Sequence, residues 1–191
     1  MSFAGARVLL TGASGGIGGA LRQQLMARGA RVVAVCRGHA DSALAPEPRA
    51  EGQQLLWMRG DLCDATFRAA LIARVHEWGG GGLDVLVNAA GRGDFVLLED
   101  QDARGIESLV QLNLVATLDL ARLALPLLAA APNGLVLNVG SVFGAIGYPG
   151  NAVYCASKFG LRGFSEALRR EVADTGVGRR SFARGWLACW R

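Results

Sequence analysis

The sequence predicts an α/β fold, a doubly wound parallel sheet in a single domain. Three observations carry this expectation. Short apolar runs alternate with helix-period segments along the 191 residues, and near-continuous apolar strands separated by helices mark a parallel sheet covered on both faces. The first run, Val8-Leu9-Leu10, leads directly into Thr11-Gly12-Ala13-Ser14-Gly15-Gly16-Ile17-Gly18, a strand feeding a glycine turn and then a helix. The length suits one core of useful size, and no internal repeat or second domain interrupts the pattern.

Residues 7–10 read as a buried strand, and 16–28 as a helix with Ile17, Leu21 and Leu25 on one face. Residues 31–36 form the second strand. Residues 39–52 carry Pro46 and Pro48 and read as a loop. The third strand spans 54–58. Residues 64–78 are helical, with Asp64 as N-cap, and 79–82 are four consecutive glycines in a turn. The fourth strand covers 83–87. A long helix spans 103–130, with a kink expected at Pro126. The fifth strand is 135–139, and 151–174 is the last helix. Right-handed crossovers between such strands give a Rossmann-like sheet.

Charge excludes some functions. The chain carries 20 basic and 16 acidic residues. Every acid lies at or before Asp174, whereas the remaining residues hold Arg179, Arg180, Arg184 and Arg191. The excess positive charge therefore belongs to the tail and does not argue for a nucleic-acid partner. Cys36, Cys63, Cys155 and Cys189 form no CxxC pair and no zinc spacing with His39 or His76; they read as reduced core residues, with no metal. Residues 123–157 contain no charge, but Pro126, Pro132-Asn133-Gly134 and the glycines of 140–150 break the run, so no spanning helix fits there. No signal peptide precedes the first strand. The expectation is a soluble, cytoplasmic protein without a membrane partner.

The chemistry lies at the strand ends. Gly12, Gly16 and Gly18 suit a phosphate loop, since glycine permits close backbone approach and a helix N-terminus favours an anion. Glycine turns are common at such junctions, and this one gains weight from following the first strand. After the second strand comes Cys36-Arg37. An acid there would bond ribose hydroxyls, whereas an arginine can pair with a 2′-phosphate. That favours NADP over NAD, against the plainer reading of a solvated loop arginine. Asp61 follows the third strand, within reach of an adenine amino group or as a simple turn aspartate. Asn88-Ala89-Ala90-Gly91 ends the fourth strand with small residues that let a cofactor lie on the backbone. Asn113 lies in an apolar helix, where a polar side chain needs a partner; a helix–helix hydrogen bond would also serve. Tyr154 and Lys158 share one helix face, and Ser141 precedes the tyrosine by thirteen residues. An ammonium one turn from a phenol favours its ionised form and makes it a usable acid or base. Together these residues point to hydride transfer between a nicotinamide and a carbonyl or alcohol.

Thr11-Gly12-x-x-x-Gly16-x-Gly18, Asp61, Asn88-Ala89-x-Gly91, Asn113, Ser141 and Tyr154-x-x-x-Lys158 occur in the order and spacing of one family. The chain resembles the short-chain dehydrogenase/reductase family from residue 5 to about 177. The resemblance implies that Tyr154 donates or accepts the substrate proton. It implies that Ser141 bonds the substrate oxygen, that Lys158 holds the nicotinamide ribose and that Asn113 holds a relay water. It extends cofactor binding to Ser14, Ile17 and Leu62, and it implies homo-oligomers paired through two long helices. It leaves the substrate and the direction of reaction open.

Past Thr175 the pattern changes. A buried parallel strand wants an apolar run, yet the chain offers Arg179-Arg180 and Arg184 beside Trp186 and Trp190. The expectation is a catalytic domain over 1–177 and an atypical basic tail over 178–191, from a truncated or frame-shifted ending. The sheet then lacks its last two strands and the pocket one wall. On that footing the alternative is a silent nucleotide-binding fragment. A tail folded over the fifth strand would restore the cover.

Overall fold

A computed structural model describes residues 3–38 and 54–173. The expected loop at 39–52 and the tail at 178–191 lie outside the described residues. Within them, five parallel strands form one sheet in the order β3-β2-β1-β4-β5. They are β1 (Arg7–Thr11), β2 (Arg31–Cys36), β3 (Leu55–Arg59), β4 (Val85–Asn88) and β5 (Leu135–Asn138). The chain steps outward from β1 to β3, then returns to the other side of β1 for β4 and β5. That reversal opens a crevice beyond the carboxyl ends of β1 and β4. Register aligns those ends: Thr11 pairs with Val35 on one side and Asn88 on the other, and Asn88 pairs with Asn138.

Alternate strand residues face opposite layers, as strand geometry requires. Leu9, Val33, Leu86 and Val136 join one cluster with Leu71, Leu120 and Leu128, while Val8, Leu10, Val32 and Val87 join another with Leu25. The helices are α1 (Gly16–Ala27), α2 (Ala65–Gly79), α3 (Ala103–Val110), α4 (Ala116–Ala129) and α5 (Ala152–Glu171). Asp64 caps α2 by accepting the Thr66 N–H at 2.8 Å, and Gly80 ends it with φ of 62°.

Two expectations change in detail. The long helix is present, but its irregularity falls at Gln111–Val115, a π-helical segment between α3 and α4. Helix α4 continues through Pro126 to Ala129. The lost backbone bond is tolerated because Ala124, Leu127 and Leu128 are held in the core. The fourth strand starts at Val85, since Asp84 turns aside to accept the Arg7 N–H at 2.7 Å and its guanidinium at 2.9 Å. The helical run Ala103–Ala129, which overlaps the start of the uncharged segment 123–157, has the length and apolar composition of a membrane span. Half of its most apolar window is buried within the protein.

Candidate functional site

The crevice at the strand ends is an open cleft of about 740 Å³. Its floor is main chain. Gly12 has φ of 68°, and a Cβ there would lie 2.8 Å from Ala90 Cα. A side chain would thus fill the place where β1 gives way to the cleft. Thr11 holds the two sides together: its Oγ1 accepts the N–H groups of Ala89 and Ala90 at 3.1 and 3.2 Å and donates to the Val87 carbonyl. Those amides leave the sheet after Asn88 and would otherwise be unpaired. No side chain caps α1, and its first turn carries no acid. Its leading N–H groups are therefore open to an anion. A dinucleotide pyrophosphate fits this glycine cradle and uncapped N-terminus.

Gly12, Ser14, Gly16, Ile17, Gly18, Arg37, Leu62, Ala89 and Gly91 line the cleft together. Arg37 is exposed on its wall beside Cys36 and Gly38. Four expected cofactor residues, Asp61, Asn88, Tyr154 and Lys158, do not line it. Asp61 is exposed, is not among the lining residues, and accepts the Cys63 N–H at 2.9 Å, as a turn aspartate does. Asn88 is buried and donates to Asn138 Oδ1 at 2.9 Å; Asn138 in turn donates to Ser165 Oγ on α5. It braces the sheet against the helix.

Beyond Gly91, where the cleft lining ends, α5 carries Tyr154 and Lys158. Lys158 is 7% exposed, and its Nζ donates to the Val139 carbonyl at 3.0 Å. Burial pushes its pKa down to about 8. The same Nζ lies 5.8 Å from the centre of the Tyr154 ring. The turn after β5 presses onto this helix: a Cβ on Gly144 would come 2.9 Å from the Lys158 carbonyl oxygen. Ser141 opens that turn, and its Oγ accepts the Phe143 N–H at 3.2 Å, which leaves the hydroxyl proton to donate outward. Phe143 meets the Tyr154 ring edge-on at 6.3 Å.

Asn113 is 1% exposed within the π segment. Its side chain clamps one residue from both sides, accepting the Arg92 N–H at 2.9 Å and donating to the Arg92 carbonyl at 2.7 Å. It also donates to Ser157 Oγ at 3.3 Å, and Ser157 donates to the Tyr154 carbonyl at 2.7 Å. Gly91 joins the two ends of the site. A Cβ there would lie 3.1 Å from Asn113 Oδ1 and 3.8 Å from Lys158 Nζ. Sequence reasoning did not assign Ser157, Val139 or the brace formed by Thr11. Thr11 left a signal as the first residue of the glycine motif, and Ser157 as a hydroxyl beside Lys158 on an otherwise assigned helix.

A family model described as short chain dehydrogenase matches residues 6–187, a span that continues past Val177. The chain is 33% identical over 189 residues to the 3-oxoacyl-(acyl-carrier-protein) reductase FabG of Escherichia coli, covering 98% of this chain and 75% of that one. It is 30% identical over 184 residues to the D-beta-hydroxybutyrate dehydrogenase of Cupriavidus necator, covering 96% and 71%. A metagenomic short-chain oxidoreductase solved in complex with NADP superposes with a TM-score of 0.83 at 33% identity, covering 93% of this chain and 81% of that one.

Proposed function

This chain belongs to the short-chain dehydrogenase family of oxidoreductases, and we propose that it moves a hydride between NADP(H) and a carbonyl or secondary alcohol, with Tyr154 as acid and base. The observation that carries this reading is the buried Lys158 ammonium, 5.8 Å from the Tyr154 ring and beside Gly91 at the cleft's end. When bound, the nicotinamide supplies or takes up the hydride. The main chain of Gly12–Gly18 and the α1 N-terminus would hold the pyrophosphate. Ala89 and Gly91 would bear the nicotinamide ribose, with Lys158 Nζ as its donor.

In the reducing direction negative charge grows on the substrate oxygen. Tyr154 Oη gives that oxygen a proton, and the Ser141 hydroxyl donates a second hydrogen bond. In the oxidising direction Tyr154 takes the proton back. Lys158 remains mostly protonated at neutral pH even at a pKa of about 8, so it faces the phenol as a cation. The Asn113 side chain is committed to Arg92 and Ser157. A relay water would share its main-chain carbonyl, which accepts the Thr117 hydroxyl at 3.5 Å.

Arg37 on the cleft wall supports NADP over NAD, as does the NADP bound to the metagenomic relative. The partner is a small carbonyl compound or alcohol, and the compartment the cytoplasm, with no nucleic acid or membrane bound. Val115 and Phe159 expose apolar surface on the long helical run and on α5, which suits a homo-oligomer paired through them. Calorimetric titration with NADPH and NADH, followed by a panel of carbonyl substrates, tests the reading. NADPH should bind more tightly and be oxidised with at least one carbonyl. Absence of NADPH binding would overturn the proposal, and tight binding with no turnover across the panel would return the chain to a silent nucleotide-binding role.

A further inference from the structure

Helix α2 buries Arg68, Leu71 and Val75 on one face. A guanidinium on that stripe, 5% exposed, needs a reason, because an apolar residue of similar volume commonly packs there at no loss of stability. Its contacts supply one. Arg68 Nε donates to Asp119 Oδ2 on α4 at 2.6 Å, and Nη1 donates to the Leu62 carbonyl at 2.7 Å. Asp119 also takes the exposed Arg122 at 2.7 Å. Hydrogen bonds from Arg68 first, then Arg122, hold the Asp119 carboxyl below its usual range. The ion pair thus anchors a fork whose other tine reaches a loop carbonyl.

That carbonyl belongs to the turn after β3. Leu62 is buried and lines the cleft together with Arg37 and Gly60. The β2–β3 end of the cleft is remote from Lys158, which bonds to Val139 beyond β5 at the sheet's other side. If the dinucleotide lies as proposed above, the adenosine half meets this turn. Within the turn Asp61 Oδ1 takes the Cys63 N–H, and the Asp64 N–H bonds to the Asp61 carbonyl. Two further bonds reach it from outside, the Gly60 N–H to the Cys36 carbonyl at 3.1 Å and Gln111 Nε2 to the Cys63 carbonyl at 3.5 Å. Arg68 adds the shortest tie to the body of the protein, at 2.7 Å.

We propose that Arg68, anchored by Asp119, is a positioning residue for the adenosine end of the cofactor site, acting through the Leu62 carbonyl. The inference rests on the dinucleotide reading of the cleft. Arg68→Lys and Arg68→Met separate its two roles. A lysine can keep the charge opposite Asp119 but cannot also fork to Leu62. Calorimetric titration would use NADPH and adenosine 2′,5′-bisphosphate, which presents the adenosine half alone, below the melting temperature of each variant.

Arg68→Lys should weaken both ligands by the same factor, roughly tenfold, while kcat at saturating NADPH stays within about twofold. Amide exchange at Leu62 and Cys63 should quicken in that variant. Arg68→Met should add a lowered melting temperature to the same binding loss. Asp119→Asn, which still offers Arg68 an acceptor, should lose less affinity than either. A folded Arg68→Lys that binds both ligands like wild type would overturn the positioning role. So would a variant that loses kcat as steeply as affinity. A wild-type chain that binds neither ligand would instead overturn the reading of the cleft, and this inference with it.

Discussion

At its Gly12 end the site is walled by main chain, and at its Tyr154 end by side chains. The first end is held by hydrogen bonds between strand termini and by glycines with no room for a Cβ. The second has Phe143 stacked on Tyr148 at 5.1 Å and a rim of exposed apolar groups, among them Phe95 at 75% exposure, Ile146 and Tyr148. Sterics therefore constrain one end, whatever the side-chain chemistry. At the other end a few polar groups stand among exposed apolar side chains, so chemistry more than sterics sets the constraint there.

The sharpest way to break that contrast is Tyr154→Phe. Removing one hydroxyl should lower kcat by roughly 10²–10⁴-fold and leave NADPH affinity within about twofold, as titration and steady-state kinetics would show. Turnover near wild type would mean that the phenol is not the acid.

Lys158 gives the next largest effect, on stability. Its pKa is pushed from 10.5 down to about 8 in the folded chain, so the unfolded chain binds more protons between those values and stability rises with pH there. Below pH 8 the buried ammonium costs on the order of 3 kcal/mol. Lys158→Met should remove that pH-dependent gain, so its urea-unfolding free energy should be flatter than wild type from pH 8 to 10.5. Parallel curves would show that the ammonium is not strained by burial.

The main-chain end predicts a contrast within one loop. Gly12→Ala places a Cβ against Ala90 at positive φ and should cost on the order of 2 kcal/mol. A Cβ on Gly16 would meet nothing within 4 Å, so Gly16→Ala should stay within about 0.5 kcal/mol. Equal losses in chemical denaturation would remove the steric account. The smallest effect is expected at Arg37, which is exposed. Arg37→Ala should weaken NADPH about tenfold and leave NADH nearly unchanged; equal weakening of both would sink the 2′-phosphate role.

The sequence disclosed the strands within a residue or two because each is an apolar run bounded by glycine, proline or a cap. It disclosed the glycine cradle and the Tyr154–Lys158 pair because both are local spacings. What stayed hidden depends on long-range contact. Asn113 stood out as a polar residue in an apolar helix, but its clamp on Arg92 spans 21 positions. Thr11 lay in the motif, yet its role as acceptor for Ala89 and Ala90 exists only once β1 and β4 are adjacent. The internal bond of Asn88 was hidden in the same way, since it reaches Asn138 across 50 positions. Asp61 Oδ1 takes the Cys63 N–H, a local bond that the turn reading allowed. Arg68 was invisible because a lone arginine within a helix normally reads as solvated.

The π segment at Gln111–Val115 makes chain length as binding a constraint as residue identity. Deleting one residue there could leave an uninterrupted α-helix of ordinary geometry. A π turn takes about one residue more than an α turn, so the faces of α3 and α4 would stay close to register and Leu120, Ala124 and Leu128 would keep their places in the core. Only the residues inside the segment would change direction, and Asn113 would swing away from Arg92. The extra residue is therefore what aims Asn113, and its deletion should leave the fold standing while the clamp is lost.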